Sequence, residues 1–335
     1  MMNKSIFIIA EVAQAHDGSL GILHSYIDAV AKLGVDAIKF QTHIADAESS
    51  EYEPFRVNFS YEDKTRYDYW KRMEFTLDQW KEIKMHCDEA NIEFISSPFS
   101  MQAVELLEQI GIETYKIASG EVGNLLMIDR IISTGKKVII SSGLSDFKEL
   151  DKLSVHLENS QVDWGLLQCT TAYPTPPEKI GLNVMQEYAN RYNVPVGLSD
   201  HSGDIYACLA AVALGASLLE AHVTFHKSMF GPDSSSSLDM DQFGKLVSGV
   251  RFLEQTLNNP VKKDTQALEK LRKTFGKSLA INKDLDEGAI ITIEDLETKK
   301  PAGYGVSPSM YKDVVGRKTN RIMKMNEFLN FGDLI

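Results

Sequence analysis

Eight short apolar segments rich in β-forming residues recur through the first two thirds of the chain. They are Phe7–Glu11, Ala37–Thr42, Glu93–Pro98, Thr114–Ser119, Lys137–Ser142, Trp164–Thr170, Pro195–Asp200 and Leu218–Thr224. Helical patterns lie between them. Gly21–Leu33, Leu77–Ala90, Gln102–Ile110 and Met240–Leu257 place apolar residues three and four apart, the spacing of one helix face. Gly34, Gly111, Gly135 and Gly215 follow helical stretches, as left-handed helix caps do. Strands alternating with helices predict βαβ units and a parallel sheet. Eight repeats close a (β/α)8 (TIM) barrel, which takes typically ~250 residues. An open doubly wound sheet is the alternative and requires a GxGxxG turn after the first strand. Here that strand runs into Glu11-Val-Ala-Gln-Ala-His16-Asp-Gly18, so the barrel is preferred.

The barrel is expected over residues 1–257, a linker over 258–276 and a small domain over 277–335. The linker opens on Asn-Asn-Pro and continues as a polar helical run. The last segment has strand-like pieces at Ser278–Ile281 and Ala289–Thr292, with turn signals at Asp286-Glu-Gly288 and Pro301-Ala-Gly303. Residues 43–76 form a long, charged connection after the second strand, either a functional lid or a surface excursion with a helical turn near Tyr67–Met73.

Charge narrows the partners. With 35 basic against 47 acidic side chains the net charge is −12, which argues against nucleic acid or an anionic membrane as partner. Cys87, Cys169 and Cys208 are dispersed and odd in number, which is no disulfide framework. The apolar run Ile6–Ala10 is too short for a signal peptide. Ala207–Leu219 falls short of the ~20 residues that span a bilayer. A cytoplasmic protein is expected.

Active sites of such barrels lie at the C-terminal ends of the strands, and every strand end here is polar. They carry Glu11; Lys39, Gln41 and His43; Ser96 and Ser97; Lys116, Ser119 and Glu121; Ser141 and Ser142; Gln168, Thr170, Thr171 and Tyr173; Ser199, Asp200 and His201; Glu220 and His222. Lys39 and Lys116 sit in apolar strand sequence, where Lys is rarely buried without a partner. One explanation is a buried ion pair, with Glu11 as a candidate. The other is a pocket in which the two lysines and the hydroxyls of Ser97, Ser119, Ser141 and Ser199 hold a phosphate or carboxylate. His201 and His222 end adjacent strands, as satisfied polar residues or as two ligands of a catalytic metal with open positions. Gly231–Ser237 is a flexible loop or a substrate-contacting one, Asp233 being its candidate contact.

The segments Phe7–Glu11, Ala15–Gly18, Ile38–His43, Phe94–Ser100, Tyr115–Glu121, Ile140–Gly143, Cys169–Pro176, Gly197–His201, Leu219–His222 and Gly231–Asp233 resemble the sialic acid (N-acetylneuraminate) synthase family. That family includes the synthases of other nonulosonic acids. Glu294–Pro301 looks like its C-terminal antifreeze-like (SAF) domain. The resemblance implies condensation of phosphoenolpyruvate with an open-chain aldehyde sugar, releasing phosphate. It implies a divalent metal on His201 and His222: Mn²⁺ first, with Mg²⁺ or Co²⁺ as alternatives. Lys39, Lys116, Ser119, Ser141, Ser199, Gln41 and Ser97 fall on phosphoenolpyruvate-binding positions, and Glu11 and Tyr173 near the sugar. It further implies a domain-swapped homodimer in which Lys300, where the family has Arg, reaches the partner's acceptor.

The chain departs from the family pattern at Gln168, Thr171, Ala221, Ser234–Ser237 and Lys300. These departures predict an acceptor other than plain N-acetylmannosamine. Rival readings are a Schiff-base aldolase using Lys39 or Lys116, a metal-dependent hydrolase, for which only His16 follows the first strand, and a non-catalytic sugar-binding barrel.

Overall fold

The computed structural model describes residues 5–57, 59–259, 261 and 265–335. The chain divides into two compact units, Met1–Asn258 and Asn259–Ile335.

The first unit is the expected barrel. Its strands are β1 (Phe7–Glu11), β2 (Ala37–Thr42), β3 (Glu93–Pro98), β4 (Thr114–Ile117), β5 (Lys137–Ser141), β6 (Trp164–Cys169), β7 (Val196–Asp200) and β8 (Leu218–Thr224). Each pairs in parallel with the next, and β1 pairs with β8, Phe7 beside Leu218 and Glu11 beside His222. A two-residue β9 (Leu238–Asp239) runs parallel to the end of β8. β4 stops at Ile117 instead of Ser119, because Ser119–Glu121 winds into a 3₁₀ turn.

Helices α1 (Leu20–Ala31), α2 (Ala45–Glu48), α3 (Arg66–Met73), α4 (Leu77–Glu89), α5 (Met101–Ile110), α6 (Leu125–Ile132), α7 (Phe147–Ser160), α8 (Leu182–Arg191), α9 (Tyr206–Ala213) and α10 (Met240–Asn258) complete the unit. Local chemistry sets their ends. The Ser19 hydroxyl accepts from the Ile22 N–H at the start of α1, and Thr76 with Gln79 forms a reciprocal capping box on α4. Gly111 closes α5 at φ +77°, a conformation that costs glycine no Cβ clash.

Two layers of packing follow from the period-two alternation of strand side chains. Outward residues such as Ile8, Ala10, Ile38, Phe40, Leu166 and Leu198 join the helices in the main core. Inward residues at the N-terminal end, Ile9, Ala37, Ile95, Ile139, Leu167 and Leu218, form a separate cluster with Phe7. This cluster is the floor of the lumen. Gly197 permits it: a Cβ there would stand 1.8 Å from the Leu218 carbonyl oxygen, so no larger residue fits beside β8.

The connection at 43–76 builds a small module of its own. Ala45, Tyr69, Trp70 and Met73 are buried together, with Phe55, Phe59 and Tyr67 packed on them. Arg72 fastens it to the loop after β1 through Asp17 at 2.6 Å, and holds Asp63 at 2.8 Å.

In the second unit, α11 (Gln266–Phe275) is the polar helical run expected in the linker. Residues 260 and 262–264 of that linker lie outside the described residues. β10 (Ser278–Ile281) pairs antiparallel with β11 (Leu296–Lys299). Leu279, Ile281, Leu285, Ile291, Val306, Val314, Met323, Leu329 and Leu334 make its core. The strand expected at Ala289–Thr292 does not form. Only Ile290 makes an isolated bridge, to Lys318, because Thr292 and Asp295 cap a 3₁₀ turn that ends the extended run. Among the described residues no helix is long and apolar enough to cross a membrane.

Candidate active site

Two residues beyond each floor position, the same lumen face turns polar. Ile9 leads to Glu11, Ala37 to Lys39, Ile95 to Ser97, Ile139 to Ser141, Leu167 to Cys169 and Leu218 to Glu220. These side chains line a cavity of about 530 Å³ at the C-terminal end of the barrel. Lys116, Ser119, Ser199, His201 and His222 line it too, with Gln41, Thr171, Tyr173 and Asp233.

Its base is a buried quartet of charges. Lys39 meets Glu11 and stands 3.8 Å from Glu220 Oε2. Lys116 donates to Glu220 Oε1 at 3.1 Å and to Ser141 at 2.7 Å. Ser199 donates to the same Glu220 oxygen at 3.0 Å, Lys39 reaches Ser97 at 3.5 Å, and Gln41 donates to Glu11 Oε1 at 2.9 Å. Two cations and two carboxylates cancel, which makes their burial tolerable. Burial alone would raise the Glu220 carboxyl, yet Lys116 and Lys39 hold it down to about 2. Glu11 goes the other way: burial raises it, and Lys39 only partly offsets this. Burial lowers Lys116 against the pull of Glu220, whereas at Lys39 the adjacent Glu11 and Glu220 outweigh burial and raise it.

Two imidazoles face the same space, ring centroids 5.2 Å apart. His201 Nδ1 lies 3.0 Å from the Thr170 carbonyl oxygen, which can only accept. The Nδ1 therefore carries a proton; burial opposes charge on this ring, but Cys169 and the Thr170 carbonyl outweigh it and raise its pKa. Burial holds the His222 pKa down to about 3, keeping the ring neutral, and it makes no hydrogen bond among the described residues. Two imidazoles on adjacent strand ends beside an open cavity are suitable metal donors. Among the described residues no cluster of three or more His, Cys, Asp or Glu could hold a metal, so water and substrate would have to complete the coordination.

The mouth is built by the 43–76 module and the loop after β8. Arg56 bonds Asp233 at 2.9 Å and stands 4.1 Å over the Tyr173 ring, which stacks on His201 at 4.2 Å. Arg66 lies 4.0 Å over Trp70 and 3.5 Å from Glu53. These module residues, with Gln14, Glu48 and Phe99, were not assigned to the site from sequence. No periodic pattern marks them, and only the length and charge of the connection signalled a role.

Lys300 belongs to the second unit, where its Nζ is 5.4 Å from the centroid of the Phe275 ring. Several polar strand-end residues turn away from the lumen. Ser96 bonds Thr42 and the Phe40 carbonyl, and Gln168 bonds the Ile180 carbonyl at 3.2 Å. Ala221 packs in the barrel–helix core. Ser234–Ser236 forms a 3₁₀ turn outside the lining set. Of the first unit's departures from the family pattern, only Thr171 lines the cavity.

A parallel eight-stranded barrel with a charged, histidine-bearing cavity at its strand ends is an enzyme scaffold of the TIM-barrel class. Residues 26–262 match the NeuB family, and the chain belongs to it. It is 32% identical over 332 residues to the N,N'-diacetyllegionaminic acid synthase of Campylobacter jejuni, covering 97% of this chain and 99% of that one. It is 33% identical to the pseudaminic acid synthase of the same species, covering 99% and 97%. Among solved structures, the N-acetylneuraminic acid synthetase of Leptospira borgpetersenii in complex with citrate superposes with a TM-score of 0.70 at 27% identity. That match covers 81% of this chain and 94% of the other.

Proposed function

We propose that this protein is a nonulosonic acid synthase, joining phosphoenolpyruvate to an open-chain aldehyde sugar with release of phosphate. The observation that carries the reading is the buried Lys39–Glu11–Glu220–Lys116 quartet beside His201 and His222, in one cavity of a NeuB-family barrel.

Lys39 and Lys116 supply point charges for the carboxylate and phosphate, and Gln41, Ser97, Ser119, Ser141 and Ser199 supply donors. Both amines are ion-paired, which disfavours a lysine nucleophile and the Schiff-base reading. In the reaction, C3 of phosphoenolpyruvate bonds to the aldehyde carbon and the aldehyde oxygen takes a proton. Water adds at C2, and phosphate leaves to give the 2-keto acid. Glu11, raised by burial, is placed to carry the proton at the sugar oxygen. A divalent metal on His201 and His222, Mn²⁺ first with Mg²⁺ or Co²⁺ as alternatives, would polarise the aldehyde as a Lewis acid. Tyr173, Thr171 and Asp233 face the acceptor, and holding both substrates in one cavity supplies much of the rate.

The acceptor is expected to differ from plain N-acetylmannosamine, Thr171 being the cavity residue that supports this. The chain acts in the cytoplasm, in keeping with Cys87, Cys169 and Cys208 all being free and buried. It works as a homodimer whose antifreeze-like C-terminal unit brings Lys300 to the partner's acceptor. Sedimentation tests the dimer, and a raised acceptor KM in Lys300→Ala tests the contact. The deciding experiment incubates the protein with phosphoenolpyruvate, Mn²⁺ and a panel of aldehyde sugars, reading phosphate and product mass. Sugar-dependent phosphate release is expected. Its absence with every sugar sinks the proposal.

A further inference from the structure

Gln41 stands between Glu11 and a buried histidine, and its amide could face either way. The surrounding donors leave one choice. Glu48 Oε1 lies 2.6 Å from His43 Nδ1, and Glu48 Oε2 accepts the Ile44 N–H at 3.3 Å. The His43 ring is clamped between Trp70, 3.7 Å away, and Phe99, 4.5 Å away, so it cannot turn. A carboxylate only accepts, so His43 Nδ1 carries a proton toward Glu48, and His43 Nε2 stands 3.1 Å from Gln41 Oε1. Gln14 Nε2 is 3.2 Å from that nitrogen and also donates to Gln41 Oε1. The Gln41 carbonyl is thereby occupied, and its amide nitrogen is left to donate to Glu11 Oε1 at 2.9 Å. A flipped Gln41 would set its carbonyl against the Glu11 carboxylate, acceptor on acceptor.

We infer that Glu48, His43 and Gln14 are positioning residues: their hydrogen bonds fix the direction of the Gln41 amide, which in turn orients Glu11 toward the acceptor sugar. The inference rests on the function proposed above. Gln41 is also a donor to phosphoenolpyruvate in that reading, so both substrates feel the loss, and rescue by the conservative variant separates positioning from structural damage.

The test compares His43→Phe, which keeps an aromatic ring between Trp70 and Phe99, with Glu48→Leu and Glu48→Gln. His43→Phe and Glu48→Leu raise the acceptor KM about tenfold, the worth of roughly one hydrogen bond. Glu48→Gln, whose carbonyl still accepts from Nδ1, restores most of the acceptor KM. A wild-type acceptor KM in His43→Phe overturns the relay, as does equal damage in Glu48→Gln and Glu48→Leu. Nitrogen-15 shifts of labelled histidine check the relay without turnover. They should show His43 protonated at Nδ1 in wild type and changed in Glu48→Leu. The opposite tautomer in wild type overturns the relay, whereas an absence of condensation in wild type overturns the functional reading and leaves these shifts to judge the geometry.

Discussion

The floor and the rim of the barrel lumen are made by the same strands, two residues apart, and they obey opposite rules. At the floor, Ile9, Ile139 and Leu167 fill space among apolar neighbours, and their worth lies in area removed from water. At the rim, Glu11, Ser141, Cys169, Lys39 and Glu220 are equally buried, and their worth lies in what they can bind. A buried charge costs several kcal/mol unless paired, so the rim draws on stability that the floor and the outer helix layer supply. A rim residue outside the charge quartet can therefore be changed with little loss of fold, and a floor residue with little loss of chemistry.

The sharpest way to break that contrast is at the histidines. His201→Ala or His222→Ala is expected to abolish turnover while the melting temperature stays within a few degrees. A chelator should act likewise and be reversed by added Mn²⁺. Undiminished activity after exhaustive chelation removes the metal role. The lysines come next. Lys39→Ala and Lys116→Ala should each weaken phosphoenolpyruvate binding by about 2–4 kcal/mol, as when an anion loses a desolvated charged partner. Leu167→Ala at the floor should instead cost about 2–4 kcal/mol of folding stability and leave that affinity unchanged. Calorimetry and urea unfolding on the three variants decide, and affinity loss in Leu167→Ala would erase the distinction.

The smallest effect concerns pH. Burial, with His43 and Arg72 adding, holds the His16 pKa down to about 3, against 6.5 in an open chain. Below pH 6.5 the unfolded chain takes a proton that the folded one refuses, so stability falls as pH drops toward 3. Thermal melts at neutral and mildly acidic pH should show a smaller drop in His16→Asn than in wild type. Asn can still accept the Gly18 N–H that His16 Nδ1 accepts at 3.1 Å. Equal drops refute the assignment.

Much of the barrel was legible because its signals are local. The bounds read for β1, β2, β3 and β8 are those observed, since each strand is a closed apolar run between polar or helical stretches. Alternation put Lys39, Gln41 and His43 on one face, where they line the cavity. The same alternation, applied to β6 and β8, turns Gln168 and Ala221 outward, so the sequence already held the argument against a direct role at the acceptor. The pairing of Glu220 with both lysines was not legible, because β8 meets Lys116 and Lys39 only across a closed lumen. Arg56 and Arg66 sit on an aperiodic connection whose course is set by its own aromatic cluster. In the second unit the misread strand at Ala289–Thr292 reflects β propensity overruled by a turn cap.

The seam of the barrel joins β1 to β8, with Glu11 beside His222. A chain made from its N-terminus delivers Glu11 early and His222 late. Until the last strand arrives, β1 and β7 each present an open edge, the kind of template that recruits stray strands. A ribosome that stops before β8 would therefore release an open sheet lacking Glu220 and His222, with Lys116 deprived of its counter-ion. The charge quartet is complete only when the ring is shut.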